Sequence, residues 1–195
     1  MKASSLTAKD WAQAALDAIT RGGVAAVSVE AIARDLNVTK GSFYWHFRNR
    51  AALLGAAMEL WEKKETDDII ALADAITDPR KRIQEVFRAA TSSAGAGRLM
   101  LALAAASDSE EIGNFVQRAT HRRLTFLTDC YRALGQSADD AQRWATFAYS
   151  TFIGSLQLFR DNPDAVPAQD MTEYLRLCIS TLIPRQAGGA TSVAA

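Results

Sequence analysis

The ten residues Val38-Thr39-Lys40-Gly41-Ser42-Phe43-Tyr44-Trp45-His46-Phe47 decide how this chain is read. Thr39 is a candidate N-cap, and the run behind it predicts a short helix through about Trp45, with Phe43 and Phe47 as core anchors. Upstream, Ser28 is a second candidate N-cap, followed by Val29, Ile32, Ala33 and Leu36 on one helical face. Asn37 then supplies the left-handed conformation that a tight turn needs, since Asn adopts it more readily than most residues with a Cβ. Two short helices joined this way, burying Ile32, Ala33, Val38 and Phe43, make a helix-turn-helix in which the small Ala33 allows a close crossing.

Working outward, the chain predicts helix almost everywhere. Thr7 with Asp10 resembles a capping box, and Trp11, Ala14, Ala15, Ala18 and Ile19 recur at helical spacing before Gly22-Gly23. A helix over about 8–21 follows. Beyond Asn49 one long helical pattern runs from Ala52 through Leu60-Trp61 and Ile69-Ile70 to Asp78, and Pro79 opens the next helix. Residues 92–97 are small and read as a flexible connection, with a short helix after them to about Ser107. Ile112 to Leu134 forms a long helix stopped by Gly135. His121, Arg118, Arg122 and Arg123 on it read as a solvated basic face. Between Ala141 and Phe159, and again between Met171 and Ile183, apolar residues occupy nearly every face, which predicts helices covered on both sides. Residues 185–195 read as a disordered tail.

Composition narrows the function. At 195 residues and 49% hydrophobic, the chain is too apolar for disorder, and its two cysteines cannot make a disulfide scaffold. Cys130 and Cys178 fit no metal spacing and read as two buried, reduced thiols. The N-terminus has no apolar run of the signal-peptide kind, and residues 144–159 are too short and too polar to span a bilayer, so a cytoplasmic protein without a membrane partner is expected. No nucleophile elbow, phosphate loop, His-Glu-x-x-His or Glu-x-x-His pair is present, so neither an enzyme nor a metal or other cofactor is expected. Formal net charge is zero, but residues 1–60 hold 7 Lys+Arg against 5 Asp+Glu. That net of +2 is small; its placement matters more, with Lys40, His46, Arg48 and Arg50 clustered in and just after the third helix.

The Gly-Ser-Phe-Tyr-x-His-Phe core at Gly41–Phe47, with Val38-Thr39-Lys40 before it and Arg50 and Leu53-Leu54 after it, resembles the DNA-binding domain of the tetracycline-repressor (TetR) family of bacterial transcriptional regulators. Ala14-Ala15, Gly23, Val29 and Ile32-Ala33 fall in that family's register, and the resemblance covers about Trp11 to Leu60. It implies an all-α protein: a three-helix helix-turn-helix DNA-binding domain in 1–48 and a helical ligand-binding and dimerisation domain in 49–184. Two departures stand out, Asn37 in place of the usual turn Gly and Arg50 in place of the usual Lys.

Carried over position by position, the resemblance makes Ser28, Thr39, Lys40, Gly41, Ser42, Tyr44, Trp45, His46 and Arg50 the DNA contacts. Thr39 would cap the helix and donate to phosphate; Lys40 and Ser42 would face base edges; Gly41 would let backbone approach the duplex. Tyr44 would offer its hydroxyl to phosphate and its ring edge to a thymine methyl, Trp45 would pack on sugar or base, and His46 and Arg50 would grip the backbone. Glu30 lies on the same side and would either repel phosphate or read a cytosine amine. Trp61, Met100, Phe115, Phe126 and Trp144 are candidate linings for a small organic ligand, uncharged or weakly polar. Phe152, Leu156, Phe159, Leu175, Ile179 and Leu182 are candidate homodimer contacts. The expected function is repression of a palindromic double-stranded operator, relieved by ligand. The alternatives are a constitutive or activating dimeric regulator without an inducer, and a helical small-molecule-binding protein.

Overall fold

A computed structural model describes residues 6–91 and 94–184, in which every regular element is helical. The helices are α1 (Ala8–Gly22), α2 (Val29–Asp35), α3 (Lys40–Phe43), α4 (Arg50–Glu62), α5 (Asp68–Asp74), α6 (Pro79–Ala90), α7 (Ala94–Ala105), α8 (Glu110–Ala133), α9 (Ala138–Asp161) and α10 (Met171–Leu182). The expected tail at 185–195 lies outside the described residues. The long helix expected after Asn49 is interrupted: between α4 and α5 the backbone widens into a π-helical turn, Lys63–Asp67. Of the connection expected at 92–97, residues 94–97 form the first turn of α7.

The chain divides into two compact units, one comprising residues 1–71 and 89–123, the other 72–88 and 124–195. In the first, α1 packs on α4 and α7. Its start is fixed locally: Thr7 caps α1, and the reciprocal bonds with Asp10 complete the capping box. Trp11, Ala15 and Ile19 point inward from α1 to meet Ile32, Phe43, Leu53, Leu54, Ala57, Met58 and Trp61, with Leu103 and Ile112 closing the far side. Gly113 is required there, because a Cβ at that position would stand 2.3 Å from the Ser107 carbonyl oxygen.

The second unit is built on Ile83, Phe87, Leu127, Tyr131, Ala145 and Phe152, all buried. Tyr131 stacks on Trp144 at 6.0 Å between ring centroids and donates its hydroxyl to the Leu182 carbonyl at 2.7 Å. Arg80 reaches the Pro184 carbonyl, so the last described turn is held by two side chains. Cys130 is buried, and desolvation pushes its thiol up to about 11; Cys178 is only half-buried, where burial was expected.

The two apolar helices differ from expectation in how much the chain itself covers. In α9 a single stripe of Ala141, Ala145, Ala148 and Phe152 is buried, and in α10 Leu182 alone is. Phe147, Leu158 and Leu177 are left exposed. Two of the six expected dimer contacts are corrected. Phe152 packs edge-on against Phe87, and Leu182 is 2% exposed, so both side chains are used inside one chain. Leu156, Phe159, Leu175 and Ile179 are half-buried and keep accessible surface.

Candidate nucleic-acid interface

The helix-turn-helix is assembled from local signals. Ser28 caps α2 by accepting from the Ala31 N–H at 3.1 Å. Asn37, the residue of the turn, has φ 55°, the only positive φ outside glycine among the described residues. Phe43 is fully buried: its ring meets Trp11 edge-on at 5.4 Å and stacks on Phe47 at 5.7 Å. α3 is thereby pinned from beneath while its other side faces outward.

That outward side collects most of the expected DNA contacts. Lys40 and Gly41 are exposed, Tyr44 is 59% exposed and Trp45 is 88% exposed; Ser42 and His46 are half-buried. A tryptophan left almost bare beside a lysine and a tyrosine is uncommon on a surface that meets only water. Gly41 is not imposed by internal packing, since a Cβ there would meet nothing closer than the Thr39 hydroxyl at 3.6 Å. His46 stands near Asp10, whose carboxyl lies below its ordinary range because the Thr7 N–H and hydroxyl donate to it, with lesser pulls from Lys9 and His46.

Three expected roles are revised by this geometry. Thr39 occupies the N-cap position of α3 in extended conformation, but its hydroxyl makes no capping bond, whereas Ser28 does cap α2. Ser28 is correspondingly engaged inside the domain. Arg50, expected to grip the DNA backbone, is committed elsewhere. Its Nε and Nη2 each donate at 2.8 Å to the Val27 and Val24 carbonyls, and its Nη1 lies 3.6 Å from Glu111. The guanidinium fork spans two carbonyls that an ammonium could not satisfy together. Arg50→Ala is therefore expected to destabilise the fold by about 1–2 kcal/mol while leaving the salt dependence of DNA binding unchanged. Urea unfolding and a binding titration at several salt concentrations check both halves.

The basic face expected on α8 is also something else. Arg118 donates to both Glu62 carboxylate oxygens, Arg122 pairs with Asp67 at 2.5 Å, and Arg123 donates to the Thr66 hydroxyl and the Glu65 carbonyl. Arg123 also lies over the Trp61 ring, 5.1 Å from its centroid. All three arginines thus converge on the π-helical turn and its approach, while His121 remains exposed. Spacing alone could not reveal this, because the partners lie more than fifty residues away. Among the candidate ligand linings, Trp61 is 1% exposed and Met100, Phe115, Phe126 and Trp144 are half-buried.

Residues 13–64, which contain α2, α3 and most of α1, match the model of the family described as bacterial regulatory proteins, tetR family. The N-terminal domain is a TetR-family DNA-binding domain. The whole helical fold matches as well. A TetR transcriptional regulator from Legionella pneumophila superposes with a TM-score of 0.78 at 20% identity, covering 94% of this chain and all of that one. A transcriptional regulator from Rhodococcus sp. Rha1 gives 0.76 at 16% identity, covering 91% of this chain and 96% of that chain. FadR from Bacillus subtilis, determined in complex with stearoyl-CoA, gives 0.69 at 15% identity with coverage of 90% and 97%. No curated protein matches the chain in sequence. These neighbours are described as transcriptional regulators, and residues 13–64 of this chain carry the DNA-binding domain of the tetR family of bacterial regulatory proteins. No described helix is long and apolar enough to cross a membrane.

Proposed function

We propose that this TetR-family regulator is a homodimeric cytoplasmic repressor that binds a near-palindromic operator through α3 and leaves it when a small organic molecule binds. The carrying observation is the face of α3: Lys40, Tyr44 and Trp45 exposed together above a buried Phe43, with Gly41 kept bare for no internal reason. A missing side chain with open space around it suits close approach of a duplex. Lys40 and Ser42 are assigned to base edges, Tyr44 and Trp45 to phosphate, sugar and thymine methyl, and Thr39 and His46 to the backbone. DNA binding is assigned to 1–48, with ligand sensing and dimerisation in 49–184.

A second copy is the partner that suits the uncovered apolar residues of α9 and α10, with Leu156, Phe159, Leu175 and Ile179 as contacts and Phe147, Leu158 and Leu177 exposed beside them. Two copies of α3 would then enter successive major grooves at roughly 34–36 Å. A ligand that favours a different spacing of those helices lowers operator affinity by its differential affinity for the two states. For the effector, Trp61 offers a buried indole N–H that has no acceptor among the described residues, which suits a weakly polar organic molecule.

The test is selection of binding sites from random duplex DNA with the purified protein, followed by titration of the recovered site with wild type and Gly41→Ala. A palindrome is expected, with Gly41→Ala binding it about tenfold or more weakly while unfolding no more easily than wild type, since Ala is the better helix former. Recovery of no preferred sequence at low salt, or undiminished binding by Gly41→Ala, contradicts the assignment.

A further inference from the structure

Glu30 and Lys40 form an ion pair across the helix-turn-helix, with Lys40 Nζ 2.5 Å from Glu30 Oε1. The residues belong to different helices, Glu30 in the first turn of α2 and Lys40 at the first position of α3. Tertiary packing therefore creates the pair. Ile32 and Ala33 below α2 and Phe43 below α3 fix the helices, and the Asn37 turn sets their approach. Both side chains are largely open to solvent, 64% for Glu30 and 51% for Lys40, on the same outward surface as Tyr44. Glu30 has no other ion-pair partner among the described residues.

We infer that Glu30 is a specificity-determining residue, and that the Glu30–Lys40 dyad reads one G·C pair in each half-site. The inference rests on the DNA-binding assignment above. In the major groove guanine presents two acceptors, N7 and O6, and its cytosine presents an N4 amino donor. A lysine and a carboxylate held side by side are the complement of that pattern: Lys40 donates to guanine and Glu30 accepts from the paired cytosine. An A·T pair carries its amino donor on adenine N6 and an acceptor at thymine O4, the reverse of the guanine O6 and cytosine N4 order, so a dyad in the G·C register sets Lys40 against a donor and Glu30 against an acceptor. An ion pair this exposed is weak and separates easily when a matching base pair is offered.

The same pair explains how a carboxylate is tolerated on a DNA-facing surface. While it is closed, Lys40 is neutralised and contributes little to counterion release on arbitrary sequence. Glu30 thus suppresses non-specific binding and adds discrimination at the matching pair.

The experiment compares wild type with Glu30→Ala, an exposed change that removes both the charge and the acceptor, first in selection from random duplexes and then in salt titrations on the selected site and on an unrelated duplex. Wild type is expected to fix a G·C pair in each half-site, and swapping it to A·T should weaken binding about tenfold. Glu30→Ala should lose that preference. On the unrelated duplex its salt slope should steepen by about 0.9 for each recognition helix, so a tenfold fall in salt tightens its binding about eightfold more per helix than that of wild type. If Glu30→Ala selects the same motif with the same G·C preference, the inference is overturned and the DNA-binding assignment survives. If wild type itself selects no motif at low salt, the assignment fails and takes the inference with it.

Discussion

Phe43→Ala is expected to destabilise the N-terminal unit by about 3–5 kcal/mol and to abolish operator binding even where the chain remains folded. α3 spans four residues, a single turn, which has no independent stability as a helix. Phe43 is the one residue of α3 that is buried, with its ring held by Trp11 and Phe47. Removing it leaves a cavity against two aromatic rings and also removes the anchor that sets the height of Lys40, Gly41 and Tyr44 above the core. Urea unfolding followed by far-UV circular dichroism measures the first effect. Operator titration at a temperature where the variant is still helical measures the second. Phe43→Leu, which keeps most of the volume, should restore part of both. A Phe43→Ala protein within about 1 kcal/mol of wild type in stability would contradict the anchoring role, since buried Phe truncations rarely fall that low.

Much of this half of the molecule was legible in the sequence because its determinants are local. The Thr7–Asp10 capping box, the Ser28 cap, the left-handed Asn37 and the inward Phe43 each depend on residues within a few positions of one another. Arg50 misled for the opposite reason. A cation at the start of a helix beside a DNA-binding motif has the charge for phosphate, yet the acceptors that take it up are Val24 and Val27 carbonyls brought close by the fold. The apolar content of α9 and α10 was plain in the sequence, but only packing shows that Phe152 and Leu182 are consumed internally. The break in the long fourth helix had a faint signal, the polar run Lys63-Lys64-Glu65-Thr66-Asp67 between two apolar stretches. The side chains that bond that turn, Arg122 and Arg123, come from α8, far along the chain.

That contact supplies the second large effect. Arg123→Ala is expected to destabilise the same unit by about 3–6 kcal/mol, since charged donors to buried acceptors contribute about 1.5–3 kcal/mol each and Arg123 makes two. Arg123 makes two such bonds, at 3.0 Å to the Thr66 hydroxyl and 3.0 Å to the Glu65 carbonyl, and covers the face of Trp61. Thr66 and Trp61 are both 1% exposed, so water cannot replace the lost donor without opening the core. Desolvation pushes the half-buried Glu65 carboxyl up from its ordinary range, against smaller opposing pulls from Arg123 and Lys64. Without Arg123 that rise should grow. A group held above its unfolded value contributes stability that is present at low pH and fades as pH passes its folded value, so the deficit of Arg123→Ala should widen from pH 4 to 7. Arg123→Met separates the contributions: it keeps apolar cover on Trp61 but donates nothing, and should recover only the packing share. Unfolding curves at two pH values for both variants decide it. Equal stability of Arg123→Met and wild type would assign the clamp to packing alone, whereas a deficit that Arg123→Lys fails to repair would tie it to the forked geometry that holds the turn open beneath α4.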